Sequence, residues 1–257
     1  MTPELPPIQT VKVIGLAVGV TTYKKAINWF KAAARKADRA YAVEAANTHV
    51  AALARHDDSF GEAMAKLDLI TPDGMPLVWT VNRQLPEDQK LTDRVYEPTL
   101  MIEAIKATED QPEYKHFLFD GKQSTLNALE ERFENEHPTT NIARAYSPPF
   151  GEWPDDEFER ICKKTHESGA NLVWVGLGCP KQERWIAKHK AQLPPAVYFG
   201  MGAAFAFHAG EVKQAPIWNQ KYGIEWLYRL CKEPRRLFKR YFTYNSLRGI
   251  QCVTDIR

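Results

Sequence analysis

Two short motifs carry residue types that could act on a ligand bearing hydroxyl groups. TPDG (71–74) follows the apolar run LDLI, so Asp73 is expected at the carboxyl end of a strand. A carboxylate there can act as a general base or bind a ligand hydroxyl. Asn47 follows AYAVEAA (40–46) in the same way, and its amide could orient a ligand. A turn or N-cap aspartate and a helix-capping asparagine are the structural alternatives.

A third motif, VGLGCPKQERWI (175–186), has the order strand, loop, helix, with Gly176 and Gly178 in the loop and Pro180 at the helix start. Such a helix start presents free N–H groups and a partial positive charge, which suits a phosphate. The motif matches neither GxxxxGKS/T nor GxGxxG, so P-loop and dinucleotide fingerprints are absent. A tight strand–helix connection is the alternative. The polar residues that could reach a ligand are Lys181, Gln182 and Glu183.

Another strand–glycine–helix pattern, YFGMGAAFAFHAG (198–210), places Gly202 where a backbone could approach a ligand or a neighbouring helix closely. Arg94 lies in the polar stretch PEDQKLTDRVYEP and could neutralise a diphosphate, with a solvated surface arginine as the alternative. We expect Cys179 and His208 to be structural residues.

Metal-binding patterns are missing from the sequence. It contains no Asp-x-Asp triplet and no HExxH, whereas a divalent cation bridging a sugar-nucleotide diphosphate usually needs such carboxylates. We therefore expect no metal and no cofactor. Helix N-termini with Arg or Lys would have to stabilise any diphosphate.

Strand-like and helix-like segments alternate along the chain. This alternation predicts an α/β fold with a mostly parallel, Rossmann-like sheet, whose ligands bind beyond the carboxyl ends of the strands. The apolar runs expected to be strands are 11–18, 40–46, 67–71, 115–120, 141–146, 171–178 and 196–200. The segments with helical spacing are 24–37, 97–108, 124–136 and 155–168, with a further helix beginning near Met75.

The composition is that of an ordinary globular protein. The 257 residues are 44% hydrophobic and 26% charged, which excludes disorder, collagen and coiled coil. The four cysteines form no CxxC pair, and their sparseness suits a reducing compartment. We find no signal-peptide pattern and no apolar segment of the ~20 residues that a spanning helix needs. A cytoplasmic location, with contact to a membrane surface, is therefore expected.

Basic residues are concentrated near the C-terminus. Residues 221–248 carry eight Lys or Arg against two Glu, although the net charge of the chain is only +2. Aromatic and aliphatic residues alternate with these cations at helical spacing, which predicts a basic amphipathic appendage with an anionic partner. We accordingly divide the chain into a catalytic domain at 1–214 and an appendage at 215–257.

Taken together and in this order, the motifs resemble the WecG/TagA/CpsF family of bacterial glycosyltransferases, and the similarity runs from about Val11 to Tyr244. The elements that carry the resemblance are TPDG, Arg94, the Asp120–Gly121 turn, VGLGCPKQERWI, GMGAAF and the tail APIWNQKYGIEWLYRLCKEPRRLFKRY. The resemblance implies a GT-E type fold and a metal-independent, inverting transfer of a hexose from a UDP-sugar to a polyprenyl-diphosphate-linked saccharide in exopolysaccharide or other cell-envelope glycan assembly.

The resemblance also assigns roles to residues. It implies Asp73 as the base and places Asn47 and Arg94 in the active site. The expected nucleotide-binding residues are Gly121, Gly178, Pro180, Lys181, Gln182 and Gly202. The residues expected to meet the lipid diphosphate or the membrane are Arg229, Arg235, Arg236 and Arg240.

The sequence departs from the family pattern near the expected donor and acceptor pockets. Ala45, Glu97, Thr99 and Ala206 stand where the family often has Thr, Gly, Asp and Asp. The sugar could therefore be a glucose-type or an N-acetylhexosamine-type hexose. Two rival functions fit less of the sequence. A Rossmann-type NAD(P) oxidoreductase would need a dinucleotide glycine fingerprint, which this sequence lacks. A nucleic-acid binder could use the basic tail, but it would not explain the PDG and PKQE motifs. No nucleic-acid partner is expected.

Overall fold

The computed structural model describes residues 4–212 together with Ala215, Asn219 and Tyr228. Apart from Ala215, Asn219 and Tyr228, the appendage predicted at 215–257 lies outside the described residues. The four arginines predicted to meet the lipid diphosphate or the membrane are therefore not described: Arg229, Arg235, Arg236 and Arg240.

The described part is an α/β structure built on one sheet, as predicted. The strands are β1 (Thr10–Val13), β2 (Leu16–Gly19), β3 (Tyr41–Ala46), β4 (Leu69–Pro72), β5 (His116–Asp120), β6 (Ile142–Tyr146), β7 (Leu172–Gly176) and β8 (Val197–Gly200). The helices are α1 (Tyr23–Lys36), α2 (Thr48–His56), α3 (Asp58–Ala65), α4 (Met75–Asn82), α5 (Glu97–Lys106), α6 (Gln123–Glu136), α7 (Glu157–Ser168), α8 (Lys181–His189) and α9 (Gly202–His208), with a 3₁₀ turn at Glu87–Gln89.

The strand predicted at 11–18 is wrong as a single element. It forms the antiparallel pair β1–β2, in which Val13 is paired with Leu16 and the two-residue turn is Ile14–Gly15. Both turn residues have positive φ, 51° and 85°, as a tight hairpin turn requires. The apolar residues on both sides of the turn concealed it, and Gly15 was its only local signal.

Two helices, α2 and α3, lie between β3 and β4 and were not predicted. Asn47 caps α2, and the carboxylate of Asp57 caps α3 by accepting a hydrogen bond from the N–H of Phe60. Side-chain oxygens of Asn and Asp at such positions satisfy N–H groups that have no partner inside the helix. The segment is rich in alanine, so it lacks the strong apolar periodicity of α1.

The strand order is β1-β2-β4-β3-β8-β7-β5-β6, and only the β1–β2 pair is antiparallel. After β4 the chain crosses to the far half of the sheet and returns through β7 to β8, which pairs with β3. The junction of β3 and β8 is thus the point at which the order of the strands reverses. In open α/β sheets this point leaves a crevice beyond the carboxyl ends of the strands, where ligands bind.

Apolar side chains cover both faces of the sheet. On one face Trp174 of β7 stacks on Phe199 of β8, with ring centroids 4.2 Å apart, and Phe30 of α1 packs edge-on against Phe199. On the other face Phe119 of β5 contacts Trp185 of α8. These layers hold the strands, and therefore the residues that follow them, in a fixed arrangement.

Candidate functional site

The predicted site residues of the catalytic domain gather at one edge of the sheet. Each follows the carboxyl end of a parallel strand: Asn47 after β3, Asp73 after β4, Gly121 after β5, Gly178 after β7 and Gly202 after β8. The pairing registers Ala46–Pro72 and Asp120–Gly176 bring neighbouring strand ends level with each other. Gly176, predicted in a loop, is instead the last residue of β7.

Asp73 is a buried carboxylate at the start of α5. Its Oδ1 accepts a hydrogen bond of 3.0 Å from the N–H of Glu97, the first residue of that helix. The positive end of a helix favours a negative charge, so α5 stabilises the ionised carboxylate. The N-cap residue of α4 is Gly74, so the alternative in which Asp73 caps the following helix is wrong.

Arg94 lies beside Asp73 and is also buried, with 9% of its surface exposed. Its guanidinium donates to the backbone carbonyl of Asp73 and stacks on the ring of Tyr96 at 4.0 Å. The alternative of a solvated surface arginine is therefore wrong. A stacked guanidinium keeps its charge when buried, which places a fixed cation next to the carboxylate.

Asn47 caps α2, which is the structural alternative to a role in binding a ligand. Its Oδ1 accepts hydrogen bonds from the N–H groups of His49 at 3.0 Å and Val50 at 3.2 Å. A Cβ atom at Gly74 would lie 4.0 Å from the Cα and Cβ of Asn47, so the residue packs against the turn that carries Asp73. Capping thus fixes the Asn47 amide next to the Asp73 turn, and its capping role is compatible with contact to a ligand.

Gln182 joins two of the glycine turns that were predicted to bind the nucleotide. Its Oε1 accepts hydrogen bonds of 3.0 Å from the N–H groups of both Gly178 and Gly202, while its Nε2 donates to Oε1 of Glu183. A Cβ atom at Gly202 would lie 2.7 Å from Gln182 Oε1 and 2.9 Å from Gly178 N. Glycine is needed at 202 because any side chain would push the two turns apart.

The remaining predicted nucleotide-binding residues are near these turns. Pro180 immediately precedes α8, as predicted, and the side chain of Lys181 in its first turn is exposed. Gly121 is exposed and has open space around its Cα. The structure therefore leaves room for a ligand at Gly121 and Lys181, whereas Gln182 is 2% exposed and acts by holding the turns.

Asp120, directly before Gly121, is a buried acid that the sequence analysis noted only as part of a turn. Burial raises its pKa to about 6, although its Oδ1 accepts a hydrogen bond from the N–H of Lys122. A Cβ atom at Gly176 would overlap its Oδ2, so glycine on the neighbouring strand makes room for this side chain. The negative charge of Glu211 nearby also raises the pKa of Asp120.

Three further residues lie near Asp73, and of these only Glu97 was marked by the sequence, as a departure from the family pattern. Tyr23, which begins α1, accepts a hydrogen bond from the N–H of Tyr96, and burial raises the pKa of its hydroxyl. Glu97 accepts a hydrogen bond from the N–H of Ala204 in the first turn of α9. Glu44 is buried in β3. Tyr23 follows the carboxyl end of β2, so the strand-end rule could have identified it, whereas Glu44 gave no local signal.

His208 has the structural role expected of it. Its Nε2 lies 2.7 Å from the carbonyl of Pro98, and its Nδ1 lies 3.2 Å from the guanidinium of Arg132. Nε2 must donate to the carbonyl and Nδ1 must accept, which is the neutral imidazole. Burial accordingly lowers the pKa of His208.

Within 4–212 and the three tail residues, no group of three or more His, Cys, Asp or Glu side chains is arranged to hold a metal ion. In the same part of the chain, no helix combines the length and the apolar character that crossing a membrane requires.

The chain is similar to known proteins over most of its length. The family model described as "Glycosyl transferase WecG/TagA/CpsF family" matches residues 11–255. A relative from Bacillus subtilis (strain 168), N-acetylglucosaminyldiphosphoundecaprenol N-acetyl-beta-D-mannosaminyltransferase, is 25% identical over 194 residues, which cover 76% of this chain and 72% of that protein.

Proposed function

We propose, because the chain belongs to the WecG/TagA/CpsF glycosyltransferase family, that it transfers a hexose from a UDP-sugar to a polyprenyl-diphosphate-linked saccharide during cell-envelope glycan assembly. The observation that carries the proposal is the buried Asp73 carboxylate, held by the first N–H of α5 beside the Arg94 guanidinium. The Bacillus subtilis relative, which is named for a transfer to a polyprenyl-diphosphate-linked sugar, supports the acceptor class.

The proposed reaction is a single in-line displacement at the anomeric carbon, which inverts its configuration. Asp73 takes the proton of the acceptor hydroxyl as the new glycosidic bond forms, and UDP departs. The Arg94 guanidinium and the positive end of the α8 dipole stabilise the negative charge that develops on the diphosphate, while the N–H groups of Lys181 and Gln182 donate to the carbonyl of Gly178. The space beside the Gly121 turn and the joined Gly178 and Gly202 turns is the proposed position of the nucleotide.

The sugar is proposed only as a hexose of the glucose or N-acetylhexosamine type. Ala45, beside Thr71 in the sheet, and Ala206, in α9, are small residues where the family often has polar ones. Glu97 replaces a frequent glycine, and its carboxylate is already bound to the start of α9. These replacements alter the surroundings of Asp73, so the N-acetylmannosamine of the relative is not carried over.

A thermal-shift experiment separates this function from its rivals. Because a ligand that binds only the folded state raises the melting temperature, UDP should stabilise the full chain, whereas NAD, NADP and oligonucleotides should not. Stabilisation by NAD and not by UDP would favour an oxidoreductase, and stabilisation by oligonucleotides alone would favour a nucleic-acid binder.

Transfer is expected to be independent of divalent metal ions. The sequence has no Asp-x-Asp triplet, and we assign the stabilisation of the leaving diphosphate to Arg94 and to the positive end of the α8 dipole. Saturating EDTA should leave the initial rate of hexose transfer nearly unchanged. Loss of the rate on chelation, with recovery on adding Mg²⁺ or Mn²⁺, would contradict this assignment.

The basic C-terminal segment is proposed to bind the membrane surface and the lipid diphosphate. Its Lys and Arg alternate with aromatic residues, which is typical of helices that lie in the headgroup region of anionic bilayers. We accordingly propose that the enzyme acts at the cytoplasmic face of the plasma membrane, with the appendage beginning at residue 215. Its residues proposed to contact phosphate are Arg229, Arg235, Arg236 and Arg240.

Truncation after residue 214 should release the protein from anionic liposomes and greatly reduce transfer to the lipid-linked acceptor, while UDP still binds. Each cation near such a surface contributes roughly 1 kcal/mol and is screened by salt, so Arg235→Ala with Arg236→Ala should weaken liposome binding most at low ionic strength. Unchanged liposome binding and wild-type transfer by the truncated protein would contradict the membrane role.

A further inference from the structure

One buried acid of the site has no role in the proposed reaction. Glu44 is 2% exposed and lies in β3, directly opposite Gly200 of β8. A Cβ atom at Gly200 would overlap Oε2 of Glu44, so the carboxyl group is pressed against the backbone of the neighbouring strand. That oxygen has no hydrogen-bond partner within the described part of the chain. An ionised carboxylate in this position would be strongly destabilised.

The charges that face Glu44 from adjacent elements are negative. Glu183 of α8, Glu97 of α5 and Asp73 after β4 each act on it, and Glu183 lies within hydrogen-bonding reach of its carboxyl group. Burial, together with these three carboxylates, raises the pKa of Glu44 well above its ordinary value. A carboxyl group next to another buried carboxylate holds its proton more tightly, so the neighbouring Glu183 acts in the same direction as burial.

The hydrogen bonds around Glu183 indicate where this proton resides. Oε1 of Glu183 accepts from Nε2 of Gln182, which favours the ionised form of Glu183. Oε2 of Glu44 has no N–H donor. We propose that Glu44 is a neutral carboxylic acid that donates its proton to Glu183, and that this hydrogen bond sets the orientation of Gln182 and thereby holds the Gly178 and Gly202 turns together.

The orientation of Gln182 matters because its amide is asymmetric. Both glycine N–H groups are donors and need the amide oxygen, so Nε2 must face Glu183. The carboxylate of Glu183 accepts from Nε2, and the acid proton of Glu44 offsets the burial of that carboxylate. Glu183 therefore accepts from both sides, from Glu44 and from Gln182, and the oxygen of Gln182 accepts from the two turns. Glu44 is a positioning residue, since it acts on the ligand only through Gln182.

The test compares Glu44→Gln with wild type in the full-length chain. The unfolded glutamate loses its proton above its ordinary pKa of about 4.3, whereas the folded wild-type protein keeps it. Between about pH 5.5 and 8, the equilibrium constant for unfolding of wild type, divided by that of Glu44→Gln, should therefore rise about tenfold per pH unit. Asp120 titrates in both proteins, so its contribution cancels. Glu131→Gln, at an exposed position of α6, is the matched control and should show no such divergence.

Infrared spectroscopy gives a second readout, the carbonyl band of a protonated carboxylic acid, which can be measured on the wild-type protein even if the variant does not fold. At about pH 8, where ordinary carboxyl groups are ionised, the wild-type protein should retain the carbonyl band of a protonated carboxylic acid, and Glu44→Gln should lose it. Parallel stability curves for wild type and Glu44→Gln, or absence of this band in wild type, would overturn the proposal.

A kinetic arm tests the positioning role and rests on the proposed function. Leucine at 44 cannot donate to Glu183, whereas glutamine can. Glu44→Leu should raise the KM for the UDP-sugar about tenfold relative to Glu44→Gln, which corresponds to one lost hydrogen bond to a charged group, with a smaller change in kcat. Equal KM values would overturn the positioning role. If no UDP-sugar is a substrate, the proposed function fails, while the pH and infrared results still decide the shared proton.

Discussion

Asp73→Asn is expected to reduce hexose transfer by about 10²–10⁴-fold, the range for loss of a general base. Asparagine keeps an oxygen that can accept the hydrogen bond from Glu97 N–H, so the turn and the start of α5 should be preserved. What the variant loses is the ability to take a proton from the acceptor hydroxyl. The rate of transfer under saturating donor and acceptor measures this effect.

The stabilisation of the Asp73→Asn variant by UDP should equal that of wild type, because the proposed nucleotide position lies at the glycine turns. Asp88→Asn makes the same chemical change at an exposed position in the 3₁₀ turn and should transfer normally. Turnover of Asp73→Asn within about threefold of wild type would be far from the loss expected for a general base and would contradict the assignment.

Gln182→Ala is expected to lower both the stability of the protein and its affinity for the donor, because Gln182 of α8 holds the two glycine turns together. It removes the acceptor of the Gly178 and Gly202 N–H groups, and each unsatisfied group costs about 1–3 kcal/mol of unfolding free energy when water cannot reach it. It also removes the Nε2 donor to Glu183. Denaturant unfolding should show the loss of stability, and the KM for the UDP-sugar should rise.

The matched control is Gln192→Ala, which truncates an exposed glutamine after α8. It should unfold like wild type and keep the wild-type KM for the donor. A Gln182→Ala protein with wild-type stability would show that the two turns do not depend on the Gln182 amide. A normal KM with lowered stability would separate the packing of the turns from donor binding.

The strand-end residues of the site were predictable because a parallel sheet brings them together whatever the details of packing. Apolar runs located β3, β4, β5, β7 and β8, and the residue after each of them proved to lie at one edge. Capping by Asn47 was also a local inference, since its oxygen bonds to N–H groups two and three residues ahead.

What could not be predicted depends on contacts between distant parts of the chain. The stacking of Arg94 near Asp73 and the role of Gln182 in joining two turns require the folded sheet. A glutamate in the apolar run of β3 gave no sign that it would meet Glu183 of α8. The β1–β2 turn was missed for a different reason. The residues on both sides of Ile14–Gly15 are mostly apolar, so the two strands look like one continuous apolar run.

The most direct test of the account is a transfer assay with the full chain, a panel of UDP-hexoses and several polyprenyl-diphosphate-linked saccharides. A UDP-hexose should transfer its sugar to one of these acceptors with release of UDP and inversion at the anomeric carbon, and Asp73→Asn should form this product about 10²–10⁴-fold more slowly. Transfer with retained configuration, or no lipid-linked product from any donor while UDP still binds, would contradict the account.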